Sequence, residues 1–157
     1  MSRLLEPGTD GRVRDGSSAG PLSVEGRARA VDGDSVFIGR REVRLVGIDA
    51  PEGPQICQRN GRPWRCGDAS RDALLAMISR QPIRCSGQKE DRHGRLLGTC
   101  RLGDKNLNAA MVEQGHAVAY GRYRREERRA RESQRGLWAK SVQFQTPRAW
   151  RDENLRR

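Results

Sequence analysis

At 157 residues, of which 34% are hydrophobic and only 4% aromatic, the chain is long enough for one domain with a modest aliphatic core. No apolar run approaches the roughly 18 residues that a membrane-spanning helix needs, so the sequence predicts a soluble protein and not an integral membrane protein. With 31 Lys and Arg against 20 Asp and Glu, the net charge is +11 and the pI about 10.8, which favours a polyanionic partner: nucleic acid, or alternatively anionic polysaccharide or lipid.

The first segment, residues 1–22, is rich in Gly, Ser, Pro and mixed charge. This composition predicts a disordered leader or linker. It precedes a predicted domain at residues 23–150 and a basic C-terminal tail at residues 151–157. The leader lacks the apolar centre of a secretory signal peptide.

The segment SVEGRARAVDGDSVFIGRREVRLVGIDAPE contains three strand-like runs, at residues 24–31, 34–39 and 41–48. Asp-Gly and Gly-Arg turn signals separate them, which predicts a β-meander. Two further strands are predicted from PIRCSGQ and RLLGTCRL. No alternation of strand, helix and parallel strand occurs, so a parallel α/β sheet is disfavoured.

Three helices are predicted around these strands. GDASRDALLAMISRQ has apolar residues at helical spacing, and NAAMVEQG predicts a short helix with Asn108 as its N-cap and Gly115 as its end. The third, at residues 123–135, is nearly all charge, and pairs such as Glu127 with Arg131 indicate a solvated face. Five strands with about three helices predict an α+β fold, a small, partly open oligonucleotide-binding barrel (OB-fold).

The segment CSGQKEDRHGRLLGTC joins the last two predicted strands and is symmetric about its Arg92-His93 pair. If these two residues form a hairpin turn, residues whose numbers sum to 185 face each other, and Cys85 lies opposite Cys100. Directly opposed residues of an antiparallel pair have Cβ atoms about 4.5 to 5.5 Å apart, close to disulfide range.

The other two cysteines, Cys57 and Cys66, enclose the loop QRNGRPWR in a short ring. Four cysteines allow three pairings, of which we favour Cys57 with Cys66 and Cys85 with Cys100. Four free thiols in a reducing cytoplasm are the alternative, and a zinc site is disfavoured because no C-x-x-C pair is present. Two disulfides predict a periplasmic or secreted protein. A leader that was removed or lies upstream is one explanation for the missing signal peptide.

Four acidic residues stand at strand ends. VDGDS places Asp32 and Asp34 two positions apart at a turn, and GIDAPE adds Asp49 and Glu52 after the third strand. Paired carboxylates with a free backbone carbonyl are typical ligands of a hard cation such as calcium. The alternative interpretation is that Asp-Gly is only a turn and Asp-x-Pro only the end of a strand.

Two arginines favour the first interpretation. Arg44 precedes Asp49 on the same strand, and Arg95 follows the turn DRHG. A guanidinium group binds phosphate oxygens in a bidentate way and stays charged. Strict alternation places Arg44 on the face opposite Asp49, so their convergence requires a bulge or bend near Gly47 or Ile48.

Together, VDGDS, VRLVGIDAPE, DRHGR and the closing GLWAKSVQFQTPRAW resemble the staphylococcal nuclease (thermonuclease) family, in the same order along the chain. The resemblance implies an oligonucleotide-binding barrel with calcium-dependent phosphodiesterase activity on DNA and RNA. It also implies cleavage of the bond to the 5′-oxygen, which leaves 3′-phosphate ends.

The resemblance also implies roles for residues of this chain. The implied calcium ligands are Asp34, Asp49 and the backbone carbonyl of Ala50, where the family has threonine. Glu52 would position or deprotonate the attacking water, while Arg44 and Arg95 would bind the phosphate and its transition state.

Three further positions correspond to substrate contacts in the family. His93 stands in place of a turn tyrosine, and the nucleotide-stacking tyrosines are represented by Tyr120 and Tyr123 with Arg122 between them. Nucleic acid is thus the expected partner, as substrate.

Two other functions are compatible with the same sequence. One is a barrel that binds nucleic acid without cleaving it, and the other is a role in bacterial exopolysaccharide (succinoglycan) biosynthesis, where similar thermonuclease-like proteins occur. No protein partner is predicted, and a monomer is expected.

Overall fold

The computed structural model describes residues 22–155. The strands are β1 Leu22–Gly26, β2 Ala28–Asp32, β3 Ser35–Ile38, β4 Arg41–Leu45, β5 Ile48–Asp49, β6 Cys57–Arg59, β7 Arg62–Trp64, β8 Ile83–Glu90, β9 Leu96–Leu102, β10 Lys105–Asn106, β11 Val118–Ala119 and β12 Val142–Gln143. The helices are α1 Cys66–Ile78, α2 Leu107–Glu113, α3 Arg124–Glu132 and α4 Pro147–Asn154, with a 3₁₀ turn at Gly136–Trp138. Within the described part of the chain, no helix is long and apolar enough to cross a membrane.

The main sheet is strongly curled. Its strand order is β1-β8-β9-β4-β3-β2, with β4 and β9 parallel and the other neighbours antiparallel. The strand predicted at residues 24–31 is broken at Arg27, so that β1 pairs with β8 while β2 pairs with β3. Because the consecutive strands β1 and β2 lie at opposite edges, the sheet curls into a partly open barrel. The predicted OB-fold is confirmed, with its first strand split in two.

The interior of the barrel is aliphatic, as the low aromatic content predicts. Alternate residues of each strand point inward. Helix α1 packs against β2, and helix α2 packs against β9, so the two helices extend the core beyond the sheet. The largest fully buried apolar side chains are Leu45, Ile48, Leu74, Ile78, Ile83, Leu96, Leu107, Met111, Val36, Val43 and Val112.

Helix α2 begins at Leu107, and the prediction of Asn108 as its N-cap is wrong. The cap is Asn106, whose Oδ1 accepts a hydrogen bond from the Ala109 N–H at 3.0 Å. Asn108 is fully buried inside the helix, where its side-chain amide binds backbone groups of neighbouring elements. The predicted end at Gly115 is confirmed, because this residue has a φ of +81° directly after the last turn.

The charged helix α3 is shorter than predicted. It ends at Glu132, and three irregular residues, 133–135, separate it from the 3₁₀ turn that begins at Gly136. The predicted pair is confirmed, with the Arg131 Nη2 3.1 Å from the Glu127 Oε2.

Helix α4 is additional to the three predicted helices. Residues 151–154, which the composition placed in a basic tail, form its last turn. The leader predicted at residues 1–22 lies outside the described residues, apart from Leu22, which begins β1.

Both predicted disulfides are present, Cys57–Cys66 and Cys85–Cys100. Cys85 and Cys100 are register partners in the hairpin of β8 and β9, as predicted. The hairpin turn is centred on His93 alone, however, which moves the pairing by one residue, to Lys89 with Leu97. A bulge between Ser86 and Lys89 moves it back, so the two deviations cancel at the cysteines.

Mass spectrometry can test this pairing. We expect no alkylated cysteine in the native oxidised chain and four after reduction. A double substitution of Cys85 and Cys100 by serine should lower the free energy of unfolding by about 3 kcal/mol, because this disulfide restricts a 15-residue loop of the unfolded chain. Denaturant unfolding of the parent and the variant measures the difference. Four thiols that alkylate without reduction would contradict the pairing.

Candidate active site

The turn between β2 and β3 orients Asp34. The Asp32 Oδ1 accepts hydrogen bonds from the Asp34 N–H at 3.1 Å and from the Ser35 Oγ at 3.0 Å, so this carboxylate holds the turn. The Asp34 Oδ2 accepts a hydrogen bond from the Ala50 N–H at 2.8 Å. Of the two aspartates in VDGDS, Asp34 therefore reaches the end of β5, and Asp32 supports it.

The bend that Arg44 and Asp49 require is present. Strand β4 ends at Leu45, a turn follows at residues 46 and 47, and β5 begins at Ile48. Gly47 has a φ of +84°, and a side chain there would meet the ring of Tyr123, so glycine is required on both counts. The interruption breaks the strict alternation of faces and brings Arg44 and Asp49 to the same side.

The guanidinium group of Arg44 lies between two of the carboxylates. Backbone carbonyls hold it, because Nη1 donates to the Leu45 O at 2.7 Å and Nη2 to the Ile48 O at 3.1 Å. From this position Nη1 is 3.6 Å from the Asp34 Oδ2, and Nη2 is 3.7 Å from the Asp49 Oδ1. Arg44 is therefore held in place by backbone contacts as well as by its two ion pairs.

The loop that carries Glu52 is packed closely against the start of α1. The Glu52 N–H donates to the Gln55 Oε1 at 3.1 Å, and the Glu52 carbonyl accepts from the Gln55 N–H at 2.8 Å. A Cβ atom on Gly67 would lie 1.9 Å from the Glu52 carbonyl oxygen, so only glycine allows this approach. These backbone contacts leave the Glu52 carboxylate available for other groups.

Arg151 of α4 joins this cluster, and the sequence analysis did not single it out. Its Nη1 donates to the Asp49 Oδ1 at 3.0 Å and to the Glu52 Oε2 at 2.9 Å, and its Nη2 donates to the Asp49 Oδ2 at 3.1 Å. The hydrogen bond to Asp49 raises the pKa of the Arg151 guanidinium above its already high value. No sequence signal links residues 102 positions apart, so only the fold reveals this contact.

Burial dominates the electrostatics of Asp34. Removal from water raises the pKa of its carboxyl group well above the usual range, and Arg44 offsets part of this rise, while Asp32 adds to it. Asp49 is buried as well, with only 3% of its side chain exposed. A cation bound here would stabilise both charged carboxylates.

The atoms around this cluster suit a hard cation. Its potential ligands are all oxygen atoms, from Asp34, Asp49, Glu52 and the Ala50 carbonyl, a set that fits calcium rather than zinc. Within residues 22–155, no three acidic, histidine or cysteine side chains are close enough to hold a metal unaided. The position between Asp49 and Glu52 instead holds the positive guanidinium group of Arg151.

Arg95 and His93 lie in the turn between β8 and β9. The Arg95 Nε donates to the Asp91 Oδ2 at 2.8 Å, and His93 is exposed at the tip. Hydrogen bonds from Arg95 and His93 outweigh burial and lower the pKa of Asp91. Because Val43 pairs with Leu96, Arg95 lies beside β4 on the face that carries Arg44, although Asp91 holds its guanidinium group.

The two tyrosines have different surroundings. Tyr120 is exposed, and its N–H donates to the Gly47 carbonyl at 2.8 Å, so it lies beside the bend. Tyr123 packs against the core, and its hydroxyl accepts a hydrogen bond from the Asn106 Nδ2 at 3.3 Å. Arg122, between them, is exposed and lines a groove of about 400 Å³.

This groove runs along the sheet face next to Arg44. It is lined by Val46, Ser86, Gly87, Gln88, Lys89, Leu97, Thr99, Arg101 and Arg122. Three of these side chains are basic, and Val46 and Leu97 supply apolar contact. Because Leu97 pairs with Arg44, the groove lies on the sheet face that carries Arg44.

The fold and this site define a class of protein: oligonucleotide-binding barrels with carboxylates and arginines gathered beside a basic groove. Such a site suits chemistry on a phosphodiester. A family model described as "Staphylococcal nuclease homologue" matches residues 42–140. The chain belongs to this family.

Curated relatives agree with the family match. The chain is 36% identical over 134 residues to the succinoglycan biosynthesis protein ExoI of Rhizobium meliloti (strain 1021), covering 80% of this chain and 69% of that protein. It is 32% identical over 144 residues to the micrococcal nuclease of Shigella flexneri, covering 78% and 77%. It is 30% identical over 128 residues to the probable endonuclease LCL3 of Schizophyllum commune (strain H4-8 / FGSC 9210), covering 67% and 42%. The family match and the two relatives named as nucleases support nuclease activity in general, and hence a hydrolase.

Proposed function

We propose that this protein is a calcium-dependent nuclease that hydrolyses phosphodiester bonds of DNA and RNA and leaves 3′-phosphate ends. The observation that carries the proposal is the convergence of Arg44 with Asp34 and Asp49 where β4 bends. Carboxylates and an arginine this close together can bind a cation and a phosphate side by side, the carboxylates holding the cation and the arginine the phosphate. Membership of the family and its nuclease relatives supports the same activity.

The carboxylates of Asp34 and Asp49 and the carbonyl of Ala50 would hold the calcium ion. Bound calcium supplies charge that polarises the phosphoryl oxygen and stabilises the transition state. Burial of both aspartates favours this use, because a buried carboxylate gains more from a cation than an exposed one does.

Arg44, Arg95 and Glu52 have separate roles toward the phosphate and the attacking water. Arg44 is pre-organised by two backbone carbonyls and binds the non-bridging phosphate oxygens, where negative charge grows in the transition state. Arg95, which lies beside β4, releases the Asp91 carboxylate and binds the phosphate instead. Glu52 accepts a proton from the attacking water as the new bond to phosphorus forms, and the bond to the 5′-oxygen breaks while that oxygen takes a proton from solvent.

The groove beside Arg44 is the proposed path for the polynucleotide. Lys89, Arg101 and Arg122 provide positive charge for neighbouring phosphates. Exposed Tyr120 offers a face for base stacking, and His93 lies at the tip of the adjacent turn. Tyr123 contributes indirectly, because it packs beneath the bend at Gly47.

A cleavage assay tests the proposal. The purified chain should cut single-stranded DNA with calcium and stop when excess chelator is added. Glu52→Ala and Arg95→Ala variants, assayed beside it, should cut more slowly. Absence of calcium-dependent cleavage by the parent would refute the proposed enzyme. Variants that cut as well as the parent would refute the site assignment and leave the enzyme standing.

A second candidate is a role in exopolysaccharide biosynthesis. Its support is the relative that is named as a succinoglycan biosynthesis protein, at 36% identity. Deletion of the gene in its own organism should then lower exopolysaccharide yield. Complementation with a Glu52→Gln variant would show whether that role needs cleavage.

The two disulfides indicate an oxidising compartment. We therefore place the protein in the periplasm or outside the cell. We also propose residues 23–150 as the nuclease domain, of which the family match covers residues 42–140.

A further inference from the structure

Arg151 makes direct contacts with Asp49, one of the residues assigned to the cation, and with Glu52, the proposed base. Two of its nitrogens lie 2.9 to 3.1 Å from three carboxylate oxygens, both of Asp49 and one of Glu52. Calcium binds carboxylate oxygens at about 2.3 to 2.6 Å. A calcium ion bound to Asp49 would lie within a few Å of the Arg151 guanidinium group, and two cations that close repel each other, so Arg151 and a metal ion compete for Asp49.

We propose that Arg151 is a built-in competitor of the metal cation, and that cation binding releases Arg151 and loosens α4. The inference rests on the proposed cation site at Asp34 and Asp49. Without a cation, Arg151 compensates the charge of the buried Asp49 and ties Glu52 away from the phosphate. With a cation bound, both carboxylates are free for their proposed roles.

Helix α4 is attached in a way that permits release. Of its eight residues only Pro147 is buried, and Leu155, directly after it, is 60% exposed. The Thr146 Oγ1 accepts from the Ala149 N–H at 3.1 Å and starts the helix, but this contact is internal to the segment. An element with little buried apolar surface opens at a low free energy.

The segment before α4 is anchored separately. The Gln55 Nε2 donates to the Gln145 carbonyl at 2.9 Å, and Gln55 is 1% exposed. Gln55 also holds the backbone of Glu52. Residue 145 can therefore stay in place and act as a hinge while α4 moves, so that Arg151 remains close enough to return when the cation leaves.

Calcium titration of the full chain by calorimetry, without nucleic acid, tests the competition. The variant is Arg151→Met, which keeps the length of the side chain and removes its charge. The matched control is Arg148→Met on the same helix, where the side chain is exposed. If Arg151 is docked in about nine molecules of ten, its removal should lower the calcium Kd about tenfold. The control should change it less than about twofold.

Amide hydrogen exchange supplies a second readout. Calcium should speed exchange in residues 148–154 of the parent and of the control variant. In Arg151→Met the same amides should exchange fast with or without calcium. Slower exchange in α4 on calcium binding would overturn the proposal, because it would mean that the loaded state retains the helix.

The outcomes separate this inference from the proposed function. A calcium Kd that is unchanged or higher in Arg151→Met overturns the competition, even if the chain cleaves DNA. Absence of calcium binding by either chain overturns it too. Tighter calcium binding by Arg151→Met with no cleavage of DNA by any variant would keep the competition and refute the nuclease.

Discussion

Replacing Glu52 by glutamine is expected to slow phosphodiester cleavage by about 10²- to 10⁴-fold at saturating calcium, because general-base assistance from a positioned side chain is typically of this size. The substitution keeps the volume of the side chain and removes both its basicity and its negative charge. The fold should persist, since the loop is held by the backbone of Glu52 through Gln55 and not by its carboxylate. Initial rates on single-stranded DNA measure the effect.

The matched control is Glu132→Gln, the same chemical change at an exposed position of α3. It should cleave within about twofold of the parent, because surface substitutions of this kind have small effects. Calcium binding measured in parallel separates a lost base from a lost cation. Cleavage by Glu52→Gln within about threefold of the parent would show that Glu52 is not the base.

Replacing Asn108 by alanine is expected to lower the free energy of unfolding by about 2 to 5 kcal/mol. The buried side chain accepts from the Cys100 N–H at 3.0 Å and donates to the Val46 and Gly98 carbonyls at 2.9 and 3.0 Å. Each buried polar group left without a partner costs about 1 to 3 kcal/mol. Denaturant unfolding measures the loss.

Asn106→Ala is the control for this prediction. It removes an N-cap and a long hydrogen bond to the Tyr123 hydroxyl, and should cost about 1 kcal/mol. Because Asn108 holds the Val46 carbonyl in the bend, Asn108→Ala should also weaken calcium binding, which the control should leave unchanged. The reverse order of stability, with Asn106→Ala the more damaging variant, would contradict the role of Asn108.

The same asparagines show how far local sequence rules reach. An asparagine before an apolar helical run predicts an N-cap, and two such residues stand two positions apart in KNLNAA. Local chemistry cannot choose between them, because either could cap a helix. The choice depends on β9 and the bend after β4, because their buried backbone groups bind the Asn108 side chain. Asn106 is then the residue that caps the helix.

The C-terminal helix had a local signal that composition obscured. Thr146 followed by Pro147 is an N-cap followed by proline at the first helical position, a typical helix start. The charged residues of this segment instead favoured the prediction of a C-terminal tail. No sequence signal indicated which residues Arg151 contacts.

The OB-fold, the favoured disulfide pairing and the position of Asp34, Arg44, Asp49 and Glu52 near strand ends could be predicted from the sequence. Alternation, turn residues and hairpin symmetry act over a few positions, so they can be read locally. The bend at Gly47 that brings Arg44 to Asp49, and the position of Arg151 beside Asp49 and Glu52, are visible only in the folded chain. Contacts between residues 102 positions apart depend on how the barrel and its helices pack, which no local pattern encodes.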